Sequence, residues 1–246
     1  PKIKTPNIDR MAAEGVRFTS FYAAPFCGPS RAALLTGCYP PRIQMAFNHN
    51  PEAKTGLNHD EITIAEMLKP LGYATMCIGK WHLGDHLQFL PLHHGFDHFY
   101  GLPYSNDMWP LNPRMPYGDP PDPRHIAIKE RVKMTGFANS DRPLAPNQKF
   151  GVPLYLYRDL TVLGVNTDQT RFTGDYTREA LQFIQNNKDQ PFFLYLAHNM
   201  PHVPLFASDA FLGKSERGLY GDVIEEIDWG VGQIFDKLDE LGLDDN

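Results

Sequence analysis

Two segments of this chain repeat one pattern, in which a helix is followed at once by a short buried strand. The first has capping-box spacing at residues 63–66, a predicted helix that ends before Gly72, and a predicted strand at 73–78. The second has helically spaced apolar residues within 173–187 and then the apolar run 191–197. Helices that alternate with strands predict an α/β fold, with a mostly parallel central sheet and helices on both faces.

Length and charge narrow the range of functions. The chain has 246 residues, which is enough for one large domain with a sizeable core. Its formal net charge of −6 and its pI near 5.9 argue against a nucleic-acid partner, whose binding surface would be basic. The longest apolar run, residues 192–197, is too short to span a membrane, and no signal peptide is visible.

Three further elements follow from local residue patterns. A short helix is predicted with Thr5 as its cap, Pro6 in its first turn and Gly15 at its end. Residues 16–21 alternate between polar and apolar side chains, which predicts a strand. Apolar residues spaced three and four apart predict a long amphipathic helix over 222–241.

The stretch from Cys27 to Gly37 places a cysteine at the start of a short helix. Pro29 suits the first helical turn, and Gly37 suits the left-handed residue just past the end. At this position unpaired backbone N–H groups and the positive end of the helix dipole favour anions and activate a nucleophile. Arg31, one turn further along, can point a fixed positive charge back at the cysteine. The alternative is a buried cysteine in a packed turn.

Four motifs carry a resemblance to a known family. The run Cys-x-Pro-Ser-Arg with Leu-Leu-Thr-Gly, within residues 27–37, resembles the signature of the type I sulfatases. Gly-Lys-Trp-His-Leu-Gly at 79–84 resembles that family's second signature, and Pro-His-x-Pro at 201–204 resembles a substrate-contacting loop. Residues 95–107 are similar to the arylsulfatase A / N-acetylgalactosamine-6-sulfatase-like branch. The resemblance implies an alkaline-phosphatase-like sandwich truncated at both ends, with residues 1–246 forming a partial catalytic domain.

The resemblance also implies a mechanism for sulfuric ester hydrolysis. In that family a formylglycine-generating maturation enzyme oxidises the cysteine to formylglycine, and here the modified residue would be Cys27. One hydroxyl of the hydrated aldehyde would attack sulfur, and the other would lose its proton to His82 as sulfate is expelled. Arg31 would steady the hydrated aldehyde. The implied catalytic residues are Cys27, Arg31, Lys80, His82 and His202.

Charged and proton-transferring side chains suit that chemistry. Arg31 and Lys80 carry positive charge, which a sulfate ester needs around its three non-bridging oxygens. His82 and His202 can transfer protons near neutral pH. By the resemblance, the substrate-binding residues would be Lys80, Ser105 and His202, with His202 close to the leaving group.

The resemblance further implies one divalent cation, calcium or alternatively magnesium, bound by oxygen ligands. Cys27, as formylglycine, would be one ligand. The family's other ligands, two aspartates after the first strand and an Asp-Asn pair after a late strand, are expected outside this chain. The Asp-Asp-Asn run at 244–246 is interpreted as the loop that leaves the last helix. We therefore expect this fragment alone to be inactive.

The function predicted for the whole protein is hydrolysis of an aryl or carbohydrate sulfate. Two alternatives stay open, a phosphonate or phosphodiester hydrolase with the same nucleophile and a catalytically silent anion-binding homologue with an unmodified Cys27. The partners implied are a small-molecule or carbohydrate sulfate ester and the maturation enzyme. By family resemblance, the expected location is secreted, periplasmic or lysosomal.

The remaining candidates are weaker. Ten of the 22 prolines fall in residues 103–153, which predicts an irregular excursion lining or covering the pocket. Asp107 is a candidate pocket residue by resemblance alone. His198 is interpreted as a strand-end histidine with satisfied hydrogen bonds, and Cys38 and Cys77 as buried free thiols.

Overall fold

Helices and strands alternate along most of the chain. The computed structural model describes residues 3–134 and 151–245. In chain order the helices and strands are α1 (Pro6–Glu14), α2 (Cys27–Thr36), α3 (Ile64–Leu68), β1 (Ala74–Lys80), β2 (His98–Leu102), α4 (Pro123–Met134), β3 (Tyr155–Arg158), β4 (Thr161–Val165), α5 (Phe172–Asn186), β5 (Phe192–Ala197) and α6 (Gly218–Leu241). Both predicted helix–strand pairs, α3 with β1 and α5 with β5, are confirmed.

The strands form one sheet in the order β4-β3-β2-β1-β5. β1 lies between β2 and β5 and is parallel to both, whereas β3 and β4 continue the sheet as antiparallel strands. The three-stranded centre is therefore parallel as predicted, and the β3–β4 hairpin makes the whole sheet mixed. β1 is buried over almost its whole length because it has a neighbour on each side and helices on each face.

Alternate side chains of β1 enter two separate cores. Met76 and Ile78 pack with apolar residues of α5 and α6 on one face. Cys77 packs on the other face with Ala32 and Leu35 of α2. The predicted α/β fold with helices on both faces is thus confirmed. Cys77 is a buried free thiol, and Cys38 is a half-buried one.

Two predictions near the amino terminus are wrong. Residues 16–21 form no strand, since their backbone pairs with no strand of the sheet, and Val16 and Phe18 are 79% and 70% exposed. Thr5 makes no capping hydrogen bond to α1. Instead, the carboxylate of Asp228 on α6 accepts the N–H groups at the start of α1, including that of Ile8 at 2.8 Å.

Part of the Pro-rich stretch 103–153 lies outside the described residues, namely 135–150. Its described part contains helix α4, and the irregular residues before α4 are packed into the core through Tyr104, Trp109 and Leu111. The prediction that the stretch covers the pocket stays a prediction, as does the assignment of 1–246 to one partial catalytic domain. Within 3–134 and 151–245, no helix is long and apolar enough to cross a membrane.

Candidate active site

The candidate site lies at the edge of the sheet where the parallel strands end. β1 ends at Lys80, and the loops that leave β2 and β5 carry Ser105 and His202. Helix α2 brings Cys27 and Arg31 to the same edge. Carboxyl ends of parallel strands meet at one edge, so residues far apart in sequence converge there, which is where open α/β sheets bind ligands.

Cys27 is the first residue of α2 and contacts two hydrogen-bond acceptors. Its Sγ lies 3.1 Å from Nδ1 of His82 and 3.4 Å from Oδ1 of Asn48. The same Oδ1 accepts the N–H of Gly28 at 2.7 Å. Phe26, the cap position of α2, provides no side-chain hydrogen bond, so Asn48 caps this helix from a neighbouring loop.

His82 presents an unprotonated nitrogen to Cys27. Its Nε2 donates to the backbone carbonyl of His49 at 3.2 Å, so in the neutral ring Nδ1 carries a lone pair. The side chain is buried, and burial, reinforced by the charge of Lys80, lowers the pKa of His82 well below 6.5. His82 is therefore neutral at physiological pH and able to accept a proton from the side chain at position 27.

The backbone of His82 has a φ of 59°, in the left-handed region that non-glycine residues rarely adopt. Such strain is concentrated at functional sites, where the surrounding structure holds it in place. Here the N–H of His82 donates to the carbonyl of Pro103 at 3.0 Å, which fixes the turn against the loop after β2.

Lys80 is a buried cation whose side chain bonds to a neutral hydroxyl group. It is 2% exposed, and its Nζ donates to Oγ of Ser105 at 2.9 Å. Burial lowers the pKa of Lys80 and Arg31 lowers it further, whereas Cys27 and Asp107 raise it. A buried ammonium without a bonded counter-charge is costly, so this position favours an incoming anion.

Arg31 is tied to the ends of two strands. Its Nη1 donates to the backbone carbonyl of Lys80 at 2.5 Å and to the hydroxyl of Tyr195 at 3.2 Å. Its Nε is buried and has no hydrogen-bond partner in the described part of the chain. Arg31 thus adds a fixed positive charge to the site, and the N–H group at its Nε has no acceptor among the described residues.

His202 lies at the rim, in a loop with cis peptide bonds before Pro201 and Pro204. Its Nδ1 donates to the carbonyl of Val203 at 2.7 Å and lies 3.9 Å from Oδ1 of Asp107. Burial lowers the pKa of His202, while the Asp107 carboxylate opposes that change. The side chain remains 38% exposed, so it can meet a ligand that enters from solvent.

The structure brings the predicted residues into one electrostatic group. Burial is the main cause of the lowered pKa of His82 and of His202, and the positive charges of Lys80 and Arg31 lower both further. Sequence reasoning missed Asn48, because no motif or spacing marks a residue that caps a helix from another loop.

The interpretation of His198 is wrong. Both of its ring nitrogens are buried and have no hydrogen-bond partner among the described residues. Burial lowers the pKa of His198 to about 4, which keeps the ring neutral and limits the cost of the missing partners.

The expected metal site is not complete in this chain. Among residues 3–134 and 151–245, no group of three or more His, Cys, Asp and Glu residues is arranged to hold a metal ion. Cys27 has His82 and Asn48 beside it, a donor set that does not suit calcium, which prefers six to eight oxygens. That the other ligands lie outside this chain stays a prediction, and we derive no step through a metal ion.

A sheet with a parallel centre, helices on both faces and a cysteine at a helix start by its carboxyl edge is typical of an alkaline-phosphatase-like α/β protein. Solved structures share this architecture. The PsFucS1 sulfatase from Pseudoalteromonas sp. superposes with a TM-score of 0.73 at 27% identity, over 98% of this chain and 48% of that one. Ps i-CgsB, solved in complex with k-i-k-neocarrahexaose, gives 0.72 at 33% identity, over 98% and 51%.

The chain belongs to the sulfatase family, whose family model matches residues 1–246. It is 40% identical to the N-acetylgalactosamine-6-sulfatase of Mus musculus over 258 residues, which cover 100% of this chain and 44% of that protein. It is 37% identical to the steryl-sulfatase of Homo sapiens over 290 residues, covering 98% and 48%. The resemblance carried by the four motifs is confirmed, and the chain spans less than half the length of these curated relatives.

Proposed function

We propose that the protein hydrolyses sulfate esters through a nucleophile made from Cys27. One observation carries the proposal: Sγ of Cys27 lies 3.1 Å from the unprotonated Nδ1 of His82, beside the buried ammonium of Lys80. A nucleophile, a neutral base and a cation in need of an anion are the three components that transfer of an anionic group requires.

The surroundings of Cys27 suit a side chain with two hydroxyl groups. Oxidation of Cys27 to formylglycine by a maturation enzyme would supply an aldehyde, whose hydrate carries two hydroxyls on Cβ. Sγ stands in for those oxygens in this structure, and it faces two acceptors, Nδ1 of His82 and Oδ1 of Asn48. Two acceptors match two hydroxyl donors, which a single thiol cannot satisfy.

The sulfate group would be held by donors on three elements. Nζ of Lys80 and Oγ of Ser105 already lie 2.9 Å apart, and an oxygen of a sulfate ester can accept from both. Arg31 adds positive charge behind them. Hydrogen bonds to ionised groups are stronger in a buried site, so these donors stabilise the charge on the sulfuryl oxygens as the ester bond breaks.

Two histidines would move protons on opposite sides of the reaction. His82 accepts the proton of the hydroxyl that does not attack, so that its O–H electron pair can form the C=O bond as sulfate departs. His202, at the exposed rim, is placed to give a proton to the oxygen of the departing alcohol. His82 suits the role of proton acceptor because burial keeps its ring neutral, and His202 would act in its protonated form, which Asp107 favours although burial opposes it.

The substrate class proposed is a carbohydrate or aryl sulfate. The relatives are named N-acetylgalactosamine-6-sulfatase and steryl-sulfatase, and the first name supports a carbohydrate sulfate, whereas the aryl sulfate rests on the motif resemblance. A phosphonate monoester hydrolase from Silicibacter pomeroyi, 17% identical with a TM-score of 0.61, shares the fold alone. We also infer from family membership a secreted, periplasmic or lysosomal location and one divalent cation, calcium or alternatively magnesium, whose full set of ligands is not present among residues 3–134 and 151–245.

The experiment that tests this proposal compares ester classes. The protein expressed at its natural full length, in cells able to make formylglycine, is offered sulfated monosaccharides, an aryl sulfate and a phosphodiester with the same aryl group. Release of inorganic sulfate with kcat/KM well above that for the phosphodiester supports the proposal. Preference for the phosphodiester favours the phosphonate or phosphodiester alternative, and binding of sulfate without turnover favours a silent homologue.

A further inference from the structure

Asp107 places a buried carboxylate oxygen beside His202. The residue follows β2 in the loop that also carries Ser105, and its side chain is 14% exposed. Its Oδ1 is buried and accepts no hydrogen bond within the described part of the chain, yet it lies 3.9 Å from Nδ1 of His202. A buried carboxylate without a donor is costly unless a positive charge stands close by.

The backbone at Asp107 is held in place by a separate contact. The side-chain Nδ2 of Asn112 donates to the carbonyl oxygen of Asp107 at 2.6 Å. Asn112 is itself buried, and its own carbonyl accepts from Nε2 of His125 at 3.0 Å. The carboxylate therefore sits on a rigid turn, and its distance from the His202 ring is set by the fold.

The other charged groups around His202 oppose its cationic form. Burial lowers the pKa of His202, and the positive charges of Lys80 at the end of β1 and Arg31 on α2 lower it further. The His82 ring is also near, because His202 contributes to the lowered pKa of His82. Among the main contributions to the pKa of His202, those of Asp107 and the Val203 carbonyl are the two that favour the imidazolium form. The effect of Asp107 on the pKa of His202 is larger than that of either Lys80 or Arg31.

We propose that Asp107 is a positioning residue that orients the His202 ring and supports its imidazolium form, so that His202 can act as the general acid. The acid role rests on the proposed function, whereas the coupling between the two side chains does not. Nδ1–H of His202 is committed to the Val203 carbonyl, so the mobile proton is the one on Nε2. As the sulfur–oxygen ester bond breaks, its electron pair stays on the alcohol oxygen, which takes that proton, and His202 is left neutral.

The coupling can be measured without turnover. In the protein at its natural full length, with isotope-labelled histidine and the His202 signal assigned from His202→Gln, we expect Asp107→Asn to lower the pKa of His202 by about half a unit to one unit. Asp107→Glu keeps the charge and should restore most of the difference. Asp209→Asn, which removes an exposed carboxylate seven residues after His202, should leave the pKa of His202 unchanged. An unaltered His202 titration in Asp107→Asn overturns the inference.

A second measurement needs no substitution, in case Asp107→Asn does not fold. In the wild-type protein, the carboxyl carbon of Asp107 should show an inflection in its chemical shift at the pKa of His202, because the two groups are 3.9 Å apart. A carboxyl signal that is flat through that pH range counts against the coupling.

Turnover then separates this inference from the proposed function. In Asp107→Asn the alkaline limb of the kcat profile should move to lower pH, because the acid is lost as pH rises through a lower pKa. The loss of kcat should be larger for an alkyl or sugar sulfate than for a nitrophenyl sulfate, whose leaving group needs little protonation. If Asp107→Asn shifts the His202 titration but the wild-type protein hydrolyses no sulfate ester, the proposed function is wrong and the coupling stands. If sulfate esters are hydrolysed but Asp107→Asn lowers kcat equally for both of them, the support of the acid is wrong and the proposed function stands.

Discussion

Nδ1 of His82 faces Sγ of Cys27 across 3.1 Å, and the hydrogen bond from Nε2 of His82 to the His49 carbonyl fixes which nitrogen is free to accept a proton. Cys27 begins helix α2 and His82 lies in the loop after β1, 55 residues further along the chain. Burial keeps the ring neutral, so it remains a proton acceptor at all pH values near neutrality.

Replacement of His82 should slow release of sulfate. We expect His82→Ala to lower kcat by about 10²- to 10⁴-fold, the usual contribution of a general base, while KM changes little. Steady-state kinetics on the full-length protein measure this. His86→Ala, which removes an exposed histidine of the same loop, is the control. If His82→Ala keeps the kcat of the wild type, His82 is not the general base.

Replacement of Lys80 by an apolar residue should weaken sulfate binding and at the same time make the fold more stable. Lys80→Met should weaken inhibition by free sulfate about 10- to 100-fold, because the buried charge that accepts the anion is lost. It should also raise the free energy of unfolding by about 1–3 kcal/mol, because a buried ammonium that donates to the neutral hydroxyl of Ser105 is replaced by an apolar chain of similar size.

Sulfate inhibition constants and urea unfolding of the same preparations check both parts of the Lys80 prediction. Lys188→Met, at an exposed position, should alter neither quantity. Loss of sulfate binding together with loss of stability would show instead that Lys80 is a structural residue.

Asn48 should stabilise the start of α2. Asn48→Ala leaves the N–H of Gly28 without its acceptor, and we expect a loss of about 1 kcal/mol in the free energy of unfolding, the usual cost of a missing helix cap. Urea denaturation measures the change. Asn50→Ala, two residues away and exposed, should cost almost nothing. Equal values for the two variants would mean that the hydrogen bond to Gly28 contributes nothing to stability.

His94 should make the fold sensitive to acid. It is fully buried, with both ring nitrogens unpartnered among the described residues, and burial, aided by His59 and His93, lowers its pKa to about 4. The unfolded chain therefore binds a proton between about pH 6.5 and pH 4 where the folded chain does not. Stability falls as pH falls through that window, by up to about 1.4 kcal/mol per pH unit for this group.

His94→Phe should reduce that dependence, since phenylalanine can keep the contacts with the rings of His59 and Trp81. The measurement is the free energy of unfolding at pH 7 and pH 5 for the wild type, His94→Phe and the exposed-site control His86→Phe. A difference between the two pH values that is as large in His94→Phe as in the wild type would contradict the assignment to His94.

Local sequence was sufficient where neighbours along the chain decide the structure. The helix from Cys27 ends at the left-handed Gly37 as predicted, and the capping box at Thr63 and Glu66 also forms as predicted. Two of the three parallel strands, β1 and β5, followed from apolar runs behind helices, whereas β2 was not predicted. The family motifs then identified side chains that converge at one edge of the sheet.

Sequence reasoning failed where distant residues decide. The alternating pattern after Gly15 has the composition of a strand but no strand beside it. Asp228, more than 200 residues away, provides the cap of α1 in place of Thr5, and Asn48 caps α2 from a loop without any motif. Whether a polar residue such as His198 finds a partner depends on packing, which the sequence does not reveal.

Mass spectrometry of the peptide that contains Cys27 shows whether the side chain at position 27 is oxidised to formylglycine. Protein purified at natural full length from cells able to carry out the conversion should yield a peptide lighter by about 18 Da than the unmodified form, as expected when CH₂SH becomes CHO. An unshifted mass in a preparation that hydrolyses sulfate esters would contradict the account.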